Sequence, residues 1–338
     1  MGVTGTDSVL ESGWNRSENQ FWESMNNGTV DGSETIGRPR GHERIAYASI
    51  AALGIVGNAV VVVVIVQCST MRKRFSNILI LNQSCIDLAT SVFLLLTKTI
   101  TFSYGNLSGL GDELYCKFWL DEFPLWSLML SSSYNLMALT VERYVGIVFP
   151  LFHHTFLSKT KILVLASAAW CPGPILMLCF LVPTSGVVDG RCKIMAIHAS
   201  ETWKKVSGVV LFIMQYLLPI FLFVACYSRM FIRLRTEVHP FGPHIGSEAA
   251  VQKARARRNL LKTLFVVVVG YLLCNSFNQL MFLAFNFGAP VDFSSYYYNL
   301  SVLAMFSNCC VNPVVYVLQY QTYQKELRKL VCSRPASA

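Results

Sequence analysis

Two ionisable side chains stand where a charge is costly. Asp87 lies within the apolar run 78–96. A carboxylate at bilayer depth costs roughly 3 kcal/mol on insertion scales, so it persists where it has partners and a task. Arg143 stands at the end of a later apolar run, between Glu142 and Tyr144, where an ordinary arginine would snorkel to lipid headgroups. Neither belongs to a catalytic pattern. The chain carries no metal-ligand spacing, no Gly-Lys-Thr phosphate loop and no Ser–His or paired-Asp set inside a span. His153 and His154 are adjacent in sequence and cannot share one helix face. An enzyme is therefore not expected, and no cofactor is required. A transporter would show an inverted repeat or several intramembrane charges, and neither is present.

The elements that must carry these residues are membrane helices. The 338 residues are 53% hydrophobic and only 14% charged, against about 25% charged in soluble domains. Apolar runs at 45–68, 76–102, 114–146, 161–183, 206–234, 259–286 and 295–318 each reach the roughly 20 residues needed to cross the hydrocarbon core. They are continuous rather than alternating, which excludes a closed β-barrel. The expected fold is an all-α membrane protein, a seven-helix bundle over 45–318. Residues 1–44 are polar and read as a disordered extracellular tail. Beyond the last run, Tyr323, Leu327, Leu330 and Val331 recur at helical spacing. They predict a short amphipathic eighth helix on the inner leaflet, within the segment 319–338. Cys332 there is a candidate palmitoylation site, or a free thiol.

Charge sets the orientation. Arg72, Lys73, Arg74, Lys159, Lys161, Arg229, Arg233, Lys253, Arg255, Lys325 and Arg328 flank one set of span ends; the other side holds chiefly Arg191, Lys193, Lys204 and Lys205. The positive-inside rule puts the C-terminus in the cytosol and the N-terminus outside, a multi-pass topology expected at the plasma membrane. The formal net charge of +9 thus belongs beside lipids, and nucleic acid is not an expected partner. Sequons at Asn15, Asn27 and Asn106 fall on the outer side as candidate glycosylation sites. Nearly all eleven cysteines lie within spans. Cys116 and Cys192 face the oxidising side and are expected to pair.

The motifs then fall in order, one per span. They are Gly57-Asn58, the stretch Leu81-Asn82-Gln83-Ser84-Cys85-Ile86-Asp87, Glu142-Arg143-Tyr144, Trp170, Pro219 with Tyr227, and Asn312-Pro313-Val314-Val315-Tyr316. Together they resemble the rhodopsin-like family of G-protein-coupled receptors across residues 45–332. The resemblance implies a receptor that binds an extracellular ligand and activates a heterotrimeric G protein. It makes Arg143 the output residue, held by Glu142 at rest, with Tyr227 and Tyr316 moving inward on activation. It makes Asp87, with Ser132, Asn308 and Asn312, a site for an allosteric sodium ion; a water-filled polar cluster is the alternative. Asn58 would tie the first helix to that network, and Asn82 would accept the indole N–H of Trp170.

The sixth span departs from the family. Aligned on Cys274, Asn275 replaces the usual Trp and Phe277 the usual Pro. A helix without that Pro keeps its hydrogen bond and should bend less, and Asn275 is free to join the network around Asp87. Cys116 and Arg143 are also two residues further apart than in most members, with Pro124 as the suspected bulge. Leu125 stands where amine receptors carry an Asp, and Phe306 where opsins carry a Lys, so amines and light are disfavoured. The expected pocket has an acidic rim, Asp121 and Glu122, over Gln215, Asn278 and Gln279, with walls of Leu125, Met129, Phe282, Val302 and Phe306. That suits a peptide with a basic group. The chain looks most like the peptide-receptor branch, near the galanin, allatostatin and somatostatin type. A small non-amine or lipid ligand is the runner-up, and a non-signalling decoy the third reading.

Overall fold

Long apolar stretches leave the backbone one way to satisfy its own polar groups in lipid, the helix. In the computed structural model, which describes residues 41–100, 107–194, 197, 200–238, 248–292 and 295–332, helices account for most of the chain. α1 spans Gly41–Gln67, α2 Phe75–Thr99 and α3 Phe123–Val148. α4 covers Lys159–Thr184. α5 starts as Glu201–Phe212, passes a π turn at Ile213–Leu217 and continues as Leu218–Val238. α6 runs Glu248–Asn286, α7 Tyr296–Gln319 and α8 Gln321–Cys332. Six of these are each long and apolar enough to cross a membrane. The stretch that ends in α3, which bends by 117° into a short helix Pro150–Phe156, is the seventh.

Serines fix where three helices begin. Ser158, Ser200 and Ser295 each accept a backbone N–H three residues on, from Lys161, Trp203 and Tyr298; such a cap contributes about 1 kcal/mol. α1 packs on α2 and α7, α3 on α2, α4 and α5, and α6 on α7. Small residues let these backbones close up. A Cβ on Gly173 of α4 would stand 2.0 Å from the Ser127 carbonyl oxygen of α3, and one on Gly54 of α1 2.2 Å from Ser91 Oγ of α2. Outward residues such as Phe221 and Leu273 are apolar and about three-quarters exposed, as a lipid-facing surface requires. α8 keeps Tyr323 buried and lays Leu327 against the core, while the Tyr320 hydroxyl before it donates to Asn77 Oδ1 at 2.7 Å.

The third span corrects the simple reading of one helix over 114–146. The chain enters as a short helix Leu110–Tyr115, makes a π turn over Cys116–Leu120, and breaks at Asp121 and Glu122 before α3 starts. Glu122 has a left-handed backbone, φ 55°, and Pro124 occupies the first turn of α3, where its missing N–H costs nothing. The π turn and this break lie just ahead of Pro124, where the sequence places the suspected bulge. α1 also reaches back to Gly41, so residues 41–44 are helix rather than tail. The expected tail over 1–40, the sequons at Asn15, Asn27 and Asn106, and the side chain of Cys332 lie outside what the structure describes.

Candidate functional site

Asp87 is 1% exposed and sits at the centre of a cross-bundle hydrogen-bond chain. Its Oδ1 accepts Ser132 Oγ of α3 at 2.8 Å, and its Oδ2 accepts Asn312 Nδ2 of α7 at 2.7 Å. One turn earlier on α2, Gln83 Nε2 stands 3.1 and 3.2 Å from the two carboxylate oxygens and 2.5 Å from Ser132 Oγ. Asn135 Nδ2 donates to Gln83 Oε1 at 2.7 Å and to the Leu79 carbonyl at 3.0 Å. Asn82 Nδ2 donates to Asn135 Oδ1 at 2.8 Å and to the Ala166 carbonyl at 2.9 Å, and Asn82 Oδ1 accepts Trp170 Nε1 at 3.0 Å. Four helices are thereby joined through polar groups that the apolar surroundings would otherwise penalise.

Two residues expected in this network stand elsewhere. Asn275 spends its amide on the Tyr271 carbonyl of its own helix at 2.8 Å. Asn58 does not reach Asp87 either; its Nδ2 donates to the Gly54 and Cys309 carbonyls, both at 2.9 Å. The second bond has a clear cause. Pro313 lacks the N–H that would bond the carbonyl four residues earlier, which is that of Cys309, and Asn58 fills the gap from α1. Asn308 is buried on α7 one turn before Asn312.

At one end of the bundle Arg143 Nε and Nη2 both bond Glu142 at 2.5 Å, a bidentate pair on a carboxylate that is 2% exposed. Glu142 also accepts Ser76 Oγ at 2.8 Å and stands 3.0 Å from His153 Nε2. The 117° bend after α3 is what brings His153 back under Glu142. Tyr144 meets Phe149 edge-on at 5.8 Å, Tyr227 and Tyr316 are buried, and Tyr316 packs on Tyr320 and Tyr323.

The opposite end is closed by a disulfide, Cys116–Cys192, with Cα atoms 5.5 Å apart. Cys192 lies on a hairpin of β1, Gly186–Val188, and β2, Arg191–Lys193, in register Val187 opposite Cys192. Asp189 and Gly190 at its tip both have positive φ, 54° and 73°, the turn that suits a tight antiparallel pair. Glu113 fastens the hairpin again, accepting the Val187 N–H at 2.8 Å while pairing with Lys117 at 3.0 Å.

Beneath it, the expected acidic rim is corrected. Glu122 is paired with Lys98 of α2 at 2.5 Å, and Asp121 is 3% exposed and hydrogen-bonded to Ser185. Both acids already hold partners, because the break before α3 turns them onto neighbouring elements. Leu125, Val302 and Phe306 form one apolar cluster with Tyr47, Leu94 and Met305, with Met129 packed against it. Phe282 belongs to a second cluster around Leu130 and Leu211, and Trp126 touches both. The amides pair across helices, Gln279 with Gln215 and Asn278 with Ser301, each at 3.1 Å.

Sequence reasoning missed Gln83, Asn135, Ser76, His153, Lys98 and Trp126. Gln83 and Asn135 carried a signal, one turn from Asp87 and from Ser132 on the same helix faces. His153 and Lys98 carried none, since a bend and a backbone break bring them in.

A buried acid joined to three neighbouring helices, a guanidinium clamped by the preceding glutamate, and a disulfide-held hairpin over seven spans define a membrane receptor. The family model for the 7 transmembrane receptor (rhodopsin family) matches residues 57–316, and the chain belongs to that family. It is a receptor, not an enzyme. It is similar to galanin receptor 2a of Danio rerio, 26% identical over 85% of this chain and 77% of that one. It is also similar to neuropeptide receptor 15 of Caenorhabditis elegans, 24% identical over 84% and 88%, and to somatostatin receptor type 1 of Rattus norvegicus, 25% identical over 85% and 70%.

Proposed function

We propose that this chain is a plasma-membrane receptor for an extracellular peptide, and that it activates a heterotrimeric G protein from its arginine end. The N-terminus is then outside and the C-terminus in the cytosol, as the bias of Lys and Arg supports. The observation that carries the reading is the bidentate Glu142–Arg143 pair. A guanidinium held by a neighbouring acid, rather than by another helix, changes partner through a local rearrangement. Ser76 and His153 on the same carboxylate favour the clamped state. The relatives named for galanin, somatostatin and neuropeptides favour a peptide ligand, as does the braced hairpin above the bundle.

Since Lys98 neutralises Glu122, the ligand's inner contacts are the apolar walls and the amides of Gln215, Gln279 and Asn278 rather than a free carboxylate. Those walls also suit a small non-amine or lipid ligand, the second reading. The test is a peptide panel applied to membranes holding the full chain with a promiscuous G protein, scored by nucleotide exchange. Arg143→Ala should bind the active peptide as the parent does and lose its exchange. Exchange kept in that variant would overturn the role given to Arg143. Binding without exchange in the parent would make the chain a decoy.

A further inference from the structure

The family resemblance assigns a sodium ion to Asp87 with Ser132, Asn308 and Asn312, and the geometry around the acid speaks against it. Three oxygens of that set are Asp87 Oδ1, Asp87 Oδ2 and Ser132 Oγ. Gln83 Nε2 lies within hydrogen-bond distance of all three, at 3.1, 3.2 and 2.5 Å. We propose that the Gln83 side-chain amide is a built-in replacement for the cation, so that this receptor's core does not respond to sodium.

The amide must face the acid with its nitrogen, and the chain of bonds fixes that. An indole N–H only donates, so Trp170 must face Asn82 Oδ1. Asn82 therefore turns its Nδ2 to Asn135 Oδ1, and Asn135 turns its Nδ2 to Gln83 Oε1. Gln83 is left presenting two N–H groups to Ser132 and to a carboxylate that, when ionised, only accepts. An obligate donor at one end and an obligate acceptor at the other leave one consistent direction for every amide between them. Ser132 completes the set by accepting from Gln83 and donating to Asp87. Asn312 occupies the remaining side of Oδ2. Both oxygens of the carboxylate hold two donors each, and the amide that bridges them is tethered to α2 and cannot diffuse away.

The experiment uses the purified full-length chain in detergent. Its thermal midpoint is measured in sodium chloride and in choline chloride at equal ionic strength, beside direct binding of radioactive sodium to the same material. The parent should show equal midpoints and no saturable sodium uptake. Gln83→Leu removes the amide and should open the site. Its midpoint should rise by roughly 3 °C or more in sodium over choline, and Asp87→Asn in the same chain should cancel the rise. Gln83→Met, closer in volume, serves where Gln83→Leu does not fold. A parent that itself takes up sodium, with the uptake lost in Asp87→Asn, would overturn the proposal. So would a folded Gln83 variant that stays indifferent to sodium. If neither variant folds, the uptake measurement on the parent decides alone.

Discussion

At one end of this bundle Cys116 and Cys192 join the lead-in of α3 to the hairpin by a covalent bond; at the other, Glu142 holds Arg143, Ser76 and His153 by hydrogen bonds and charge, with no covalent link. The covalent link cannot exchange partners on the time scale of a signal, whereas charge-assisted hydrogen bonds can. Under the function proposed above, fixity lies where a ligand must find a shaped surface, and exchangeable contacts lie where an output must move. Between them the Asp87 chain links α2, α3, α4 and α7 through neutral amides.

The contrast is broken most severely by cutting the covalent end. Cys116→Ser opens a disulfide that closes a separation of 76 residues, and loss of such a link costs about 4 kcal/mol. Surface-expressed, folded receptor should fall to a small fraction, read by conformation-sensitive labelling; normal yield and midpoint would make the brace dispensable. Next comes Glu142→Ala, which leaves a partly buried guanidinium without its partner at a cost of about 3 kcal/mol. Stability should drop while ligand-free nucleotide exchange rises. A stability loss with no rise would show the clamp to be structural only. Trp170→Phe removes the donor that starts the amide chain, worth about 1 kcal/mol, and should lower the midpoint modestly without touching exchange. Lys98→Met, which unpairs Glu122, comes last because its main effect is on ligand choice. The pair is only 13% and 18% exposed at its side chains, so the carboxylate left alone costs about 2 kcal/mol. The more telling readout is ligand choice, since a freed Glu122 should favour peptides with a basic group over their neutral analogues.

Six spans were legible because their apolar runs are long and bounded by charge; the third was legible as a span but not in its break. The Cys116–Cys192 pair was also readable, from two thiols on the oxidising side, and the Trp170–Asn82 bond followed from the family resemblance. What could not be read depends on backbone irregularity. The break at Glu122 turns an expected acidic rim into an ion pair with Lys98. The bend after α3 turns His153, set aside in the sequence with its neighbour His154, into a partner of Glu142. Gln83 fell between these cases. Its position was visible, but the direction of its amide follows only from the whole run of bonds to Trp170.

α6 holds 39 residues in one unbroken helix, with no proline anywhere along it. At 1.5 Å per residue it is a rod about 58 Å long. Pivoted near its middle, such a rod turned through about 5° sweeps each tip by about 2.5 Å. A kinked helix would dissipate part of that swing at its joint. Without that joint, a push on the face bearing Gln279 is carried further toward the far tip.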